Sequence, residues 1–254
     1  MAHGADIHDR GGAANIVKRR LCRGMGGGQN VRLQFGKQLR CGVLAEGKQA
    51  QCGMNCLALP GDLDHQDRDR TLVMFANKSI SILVATDVAA RGLDIDNLDA
   101  VINYQISRDP EVHVHRIGRT GRAGSKGIAC SIIAENEIHR IIKLEDFLKQ
   151  PIKMEELPDQ SYLQKKMKKA PMATIQIDGG RKQKVRPGDI LGALTAKNKQ
   201  TGQSEINGDQ IGKIQIFDLK AYVAVRSNIA DAALKKIVNG KLKGRSFKAR
   251  YIRG

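Results

Sequence analysis

Long apolar runs, aromatic side chains and a paired set of cysteines are all missing or scarce in this chain of 254 residues. No apolar stretch approaches the roughly 20 residues needed to span a bilayer, and no signal-peptide pattern is present, so a cytoplasmic protein without membrane contact is expected. The five cysteines, Cys22, Cys41, Cys52, Cys56 and Cys130, are odd in number and mostly fall within the first 58 residues, which argues against a disulfide framework. Cys52, Cys56 and His65 lack a second ligand pair, so no metal site is expected. Tryptophan is absent, and Phe and Tyr supply only 4% of the residues, which limits the surface on which bases could stack. A glycine-rich loop ending in Lys-Ser or Lys-Thr is also missing, as is a DExD carboxylate cluster, so the chain carries no complete cradle for a triphosphate and its magnesium. The glycine cluster at Gly24 to Gln29 has no Lys-Ser or Lys-Thr after it and reads as a loop.

What is present is positive charge, unevenly distributed. The formal net charge is +17. Residues 59–150 hold 12 Lys and Arg against 14 Asp and Glu, whereas residues 151–254 hold 22 against 9. The basicity therefore belongs to the tail, and length allows one to two domains. Residues 1–58 include 11 glycines and show no convincing helix or strand period, so poor order is expected there. A truncated or frame-disrupted reading, a basic targeting or RNA-binding arm around Asn15 to Arg23, and a divergent element all remain open for that segment. Residues 151–171 contain two prolines before Lys165 to Lys169 and then Pro171, and read as a linker or exposed connector.

The middle of the chain carries the densest chemistry. His115 to Arg122 (HRIGRTGR) sets three arginines at fixed spacing on a turn broken by Gly118 and Gly121. Guanidinium groups match phosphate oxygens, and glycine allows close backbone approach. Upstream, Ser81 to Ala85 is a short β-branched run that predicts a buried parallel strand, followed by a polar turn of the kind where ligands collect in open α/β sheets. Pro60 to Phe75 reads as a turn entering a helix, with acidic residues first and Thr71 to Phe75 as the apolar face.

Together ATDVAARGLDI (Ala85 to Ile95) and HRIGRTGR resemble motifs V and VI of the DEAD-box family of RNA helicases. The resemblance implies ATP with magnesium as the cofactor. It assigns Arg119 and Arg122 as arginine fingers on the phosphates, Asp94 to the nucleotide ribose, and His115 and Arg116 to tying the nucleotide site to neighbouring motifs. Thr86, Arg91 and Gly92 would lie against the RNA backbone. In Pro60 to Phe75, Gly61, Asp62 and Arg68 match the family's HGD and QxxR segment, while Pro60 and His65 depart from it; Gly61 and Arg68 are the implied RNA contacts. The family's Ser-Ala-Thr segment does not occur. The implied fold of residues 59–150 is an incomplete second RecA-like domain with a parallel sheet, and loss of its first strand and helix would leave apolar sheet surface and a strand edge open.

The tail, 172–254, has another pattern. Met172 to Ile177 alternates with period two and runs into a turn, Arg186 to Thr195 is helical, GKIQIF and AYVAV are strands, Asn228 to Val238 is an amphipathic helix, and Ser246 to Ile252 is a closing strand. The order β-α-β-β-α-β is that of the ferredoxin-like, RNA-recognition-motif fold. Of the usual aromatic consensus only Ala221, Tyr222 and Val223 remain; Lys220, Val225 and Gln176 stand where aromatics would be, leaving Tyr222 as the candidate for base stacking or else a core residue. By charge, the candidates for phosphate contact are Lys182, Lys184, Lys241, Lys243, Arg245, Lys248, Arg250 and Arg253. IDGG, RPGDILGALT, IGKI and YVAVR resemble the carboxy-terminal domain of the DbpA type of bacterial DEAD-box helicase. That resemblance implies large-subunit ribosomal RNA, and pre-ribosomal particles, as partners. Two readings follow: an ATP-dependent helicase remodelling ribosomal RNA during ribosome assembly, here lacking its first RecA-like domain, or an inactive RNA-binding remnant that docks ribosomal RNA through the basic tail.

Overall fold

The computed structural model describes residues 14–19, 56–90, 98–121, 127–155, 169–197 and 204–252. Its elements run β1 (Ala14–Arg19), β2 (Cys56–Leu59), α1 (His65–Ala76), β3 (Ile82–Ala85), α2 (Asp87–Ala90), β4 (Ala100–Asn103), α3 (Pro110–Ile117), β5 (Ile128–Ala134), α4 (Ile138–Leu148) and β6 (Met154–Glu155). The tail adds β7 (Met172–Ile177), α5 (Pro187–Thr195), β8 (Ile211–Ile216), β9 (Ala221–Arg226), α6 (Ala230–Asn239) and β10 (Ala249–Tyr251). Two compact units divide the chain, one made of Met1–Gly28 with Gly92–Tyr162, the other of Gln29–Arg91 with Leu163–Gly254. No helix among the described residues is long and apolar enough to cross a membrane.

In the first unit a four-stranded parallel sheet has the order β4-β5-β1-β6. The β5 segment IACSIIA is β-branched and apolar, as a strand with a neighbour on each side requires, and Ile132, Ile133 and Ala134 are buried. Ile133 joins Ile106 and Ile141 of α4 in a small core. Glu137 anchors the entry to α4: its carboxylate accepts from the Ala134 amide at 3.0 Å and pairs with Arg140 at 2.8 Å. One strand corrects the sequence expectation. β1 lies inside residues 1–58, where the sequence predicts no element; its short ANIVKR run has only Ile16 and Val17 as a β-branched pair, a signal too brief for periodicity, and sheet pairing on both sides specifies it instead. β6 likewise turns the start of the expected connector into strand. Ile102 and Ile128 are 60% and 56% exposed.

In the second unit β2 and β3 pair in parallel. Helix α1 starts where the sequence places it: the Asp64 side chain accepts from the Asp67 amide at 2.8 Å as N-cap, and Thr71, Val73 and Met74 are buried. β3 departs from expectation, since Ile82, Leu83 and Val84 are only half-buried and Ala85 is exposed; among the described residues β2 is the sole strand beside it. Cys56 takes part in a disulfide, so the odd cysteine count does not exclude a single bond, while Cys130 is free, its thiol pushed up by burial and then by Glu155.

The tail forms the expected β-α-β-β-α-β fold, an antiparallel sheet of order β10-β7-β9-β8 with α5 and α6 against one face. Alternation explains which face. Ile175 and Ile177 of β7, Val223 and Val225 of β9, Ile190 and Leu194 of α5, and Ala233 and Ile237 of α6 make one core, each 1% exposed or less. Val225, read as an empty aromatic slot, is therefore core. The IDGG turn is tight for a reason: a Cβ on Gly180 would collide with the Phe217 carbonyl oxygen and stand 2.7 Å from that of Asp218, because the β8–β9 turn folds onto it and accepts from the Arg181 and Lys182 amides at 2.8 and 3.0 Å. β10 is shorter than the predicted Ser246 to Ile252, since Lys243 and Gly244 take positive φ in a turn closed by Leu242 and Arg245 just before it. Because Leu194 has no exposure and its neighbours interlock, Leu194→Ala is expected to cost about 3 kcal/mol, read as a lower urea midpoint for tail unfolding; a midpoint unchanged from wild type would contradict this packing.

Candidate functional site

The arginine turn is built by α3. Asp109 caps that helix by accepting from the Glu111 amide at 2.9 Å, Pro110 opens it, and Gly118 closes it. The chain then bends sharply: the Arg119 amide donates to the Arg116 carbonyl and the Thr120 amide to that of Ile117, and Gly121 takes a φ of 65°. A second strand of chain holds the bend. The Leu98 amide donates to the Arg119 carbonyl at 3.1 Å, Leu98 and Thr120 form a parallel bridge, and the Thr120 hydroxyl donates back to the Leu98 carbonyl. Gly127 closes on the other side, where a Cβ would strike Thr120 Oγ1 and lie 2.5 Å from the Gly121 nitrogen.

The predicted residues do different things on this frame. His115 is exposed, and Arg119 is half-buried at the bend. Arg116 is an anchor: its guanidinium donates to the Gln105 carbonyl at 2.8 Å and to Asn103 Oδ1 at 3.5 Å at the end of β4, and Asn103 also donates to Ser131 on β5. Arg68, expected as an RNA contact, donates to the Ala89 carbonyl at 2.8 Å and so ties α1 to α2. Thr86 accepts from the Ala89 amide at 3.3 Å and starts α2, and Gly61 is exposed in the turn before α1. Arg91, Gly92, Asp94, Arg122 and Arg253 lie outside the described residues.

In the tail, Lys182, Lys184, Lys241, Lys243, Arg245 and Lys248 are all exposed. The Lys243 ammonium donates to the Lys184 carbonyl at 3.3 Å, which brings the turn after β7 and the turn before β10 into one basic edge. Arg250 is spent otherwise, in a 2.7 Å ion pair with Asp178. Burial works against the Asp178 carboxylate, but hydrogen bonds from Gln176 and Arg250 outweigh it and hold the group below its usual range. Tyr222 corrects the stacking expectation. It is 5% exposed, sits edge-on to Phe217 with ring centres 5.5 Å apart, and packs with Val73, Met74, Ile80 and Ile252. Burial raises its phenol as the largest cause.

Sequence reading misses His113. It is 2% exposed on α3, its Nδ1 has no hydrogen-bond partner among the described residues, and burial followed by the nearby Arg116 charge lowers it to about 4. Its only sequence signal is a place one turn before Ile117 on the inward side of a helix. A folded value below the ordinary 6.5 means that the unfolded chain takes up the proton first, so this group's contribution is intact above about pH 6.5 and is lost as pH falls towards 4. His113→Gln is expected to flatten the fall in melting temperature between pH 7 and 4.5; parallel curves for the two proteins would contradict the assignment.

The family described as helicase conserved C-terminal domain matches residues 27–124, and that described as DbpA RNA binding domain matches residues 174–251. The first match begins within the stretch that carries no sequence assignment. The chain is 47% identical over 203 residues to the ATP-dependent RNA helicase DbpA of Escherichia coli (strain K12), an alignment that covers 80% of this chain and 43% of that relative. It is 32% identical over 216 residues to the ATP-dependent RNA helicase DbpA of Bacillus subtilis (strain 168), covering 77% and 44%. It thus spans less than half the length of these curated relatives. Among solved structures it is similar to the E. coli DEAD-box protein SrmB, with 33% identity, 47% of this chain and 68% of that one covered, and a TM-score of 0.40.

Proposed function

Because the chain belongs to the DbpA type of DEAD-box RNA helicases, whose carboxy-terminal part it matches, we propose that it is the RNA-docking rear half of an ATP-dependent helicase that remodels large-subunit ribosomal RNA in the cytoplasm during ribosome assembly. The observation that carries this reading is the backbone join of Leu98 with Arg119 and Thr120, which fixes the bend that bears Arg119, in a chain that also carries a basic RNA-binding tail. Arg119 at the bend suits a triphosphate, and Arg122 and Asp94 complete the set by resemblance. Magnesium finds no such support: among the described residues no three His, Cys, Asp or Glu side chains gather to hold a metal. Its carboxylates would belong to the front half. ATP bound there would supply a phosphoanhydride whose cleavage could drive RNA rearrangement. This chain's part is to bring Arg119 and Arg122 to the developing phosphate charge, with Arg116 fixing the helix from which the turn springs.

The sequence contains no phosphate-binding loop, so the chain by itself is read as an RNA binder without turnover. The test is ATP hydrolysis by the purified chain with and without total ribosomal RNA. No stimulated turnover is expected, whereas a fusion to the front half of the E. coli relative should hydrolyse ATP, and Arg119→Ala in that fusion should slow it about a thousandfold. Turnover by the chain alone, or a fusion indifferent to Arg119, would overturn the proposal.

A further inference from the structure

Exposed cations rim the tail where the turn after β7 meets the segment before β10: Lys182 and Lys184 on the first, Lys243, Arg245 and Lys248 on the second. An apolar ring sits among them. Phe247 is half-buried: part of its side chain packs on the edge of the tail core, and the rest is open at the rim. Its seat is Gly179, the first glycine of IDGG, where a Cβ would stand 2.5 Å from the ring carbons Cδ1 and Cε1. Backbone holds the ring from both sides. Before it, Leu242 and Arg245 exchange hydrogen bonds of 2.8 and 3.1 Å; after it, the Lys248 carbonyl accepts from the Asp178 amide at 2.9 Å. The other three aromatics of the tail are committed elsewhere. Tyr222 is buried edge-on to Phe217, and the Tyr251 hydroxyl donates to the Asp231 carboxylate at 2.7 Å.

Resting on the RNA-docking reading of the tail, we propose that Phe247 stacks on an unpaired base of the bound RNA while the cations around it take the neighbouring phosphates. Charge alone does not account for the ring, since phosphate gains nothing from a phenyl group. A nucleobase does, because every base offers a π-face to an aromatic side chain and the cations flanking Phe247 would hold the backbone on either side. Stacking of this kind needs a base whose face is free. In a duplex both faces are covered by neighbours, so the basic edge prefers single-stranded RNA, a discrimination that phosphate contacts by lysine cannot supply. Gly179 then has a purpose distinct from that of Gly180: it makes room for the ring, whereas Gly180 admits the β8–β9 turn.

The test compares the full chain with Phe247→Leu, which still fills the edge of the core but has no ring, on a single-stranded RNA and on a blunt RNA duplex with the same number of phosphates. The variant should bind the single strand about tenfold more weakly and the duplex within about twofold of wild type. Its salt slope should match that of wild type on both, because no phosphate contact is lost. Unchanged affinity for the single strand, an equal loss on both RNAs, or a flatter salt slope would overturn the proposal. A second variant reads stacking directly. The chain contains no tryptophan, so Phe247→Trp introduces a single indole, whose emission should be quenched by the single strand and not by the duplex. Unquenched emission with the single strand bound would sink the idea whatever the leucine variant does. If the unaltered chain bound neither RNA, the docking reading itself would fall, and stacking with it.

Discussion

The pairing of β7 with β9 sets everything that the tail does. In that register Ile175 faces Val223 and Gln176 faces Tyr222, so one alternation decides two surfaces at once. The odd set, Ile175, Ile177, Val223 and Val225, closes the core with α5 and α6; the even set, Thr174, Gln176 and Tyr222, makes the opposite face. A slip of one residue would exchange the two and destroy both. The register also places the ends of the strands, and with them the turns from which Lys182, Lys184 and Lys243 project. Rigidity at the centre thus presents charge at the rim.

A comparable economy holds at the arginine turn. Backbone bonding to Leu98 fixes the bend at Arg119, and Gly127 is there because nothing larger fits beside Thr120. Arg116 and Asn103 then fasten the preceding helix to the strands β4 and β5. Loops fixed by backbone bonds to neighbouring strands keep their geometry without a hydrophobic core of their own, which suits a site that must meet a charged ligand.

Much of this is legible in the sequence, and the parts that are not share a cause. β7, α5 and the helix entry at Asp64 can be read directly because period, cap and turn residues agree locally. The motif residues are equally visible, but their roles divide once partners are in place: Arg68 and Thr86 both bond to Ala89 of α2, which no spacing announces. β1 is specified by β5 and β6 rather than by its own six residues, and Tyr222 is buried by a helix far away in the chain, so neither can be read from a local window. His113 is hidden for the opposite reason, since a single histidine on a helix carries no pattern at all.

Salt dependence of RNA binding probes the central claim most directly, namely that a basic tail edge docks this chain on RNA by neutralising phosphates. For a ribosomal RNA fragment, the logarithm of the binding constant should fall linearly with the logarithm of salt. Replacing Lys182, Lys184 and Lys243 together by alanine should reduce that slope by roughly two to three, at about 0.7 to 0.9 for each phosphate no longer neutralised. Binding that ignores salt, or a slope the triple variant leaves unchanged, would contradict the account.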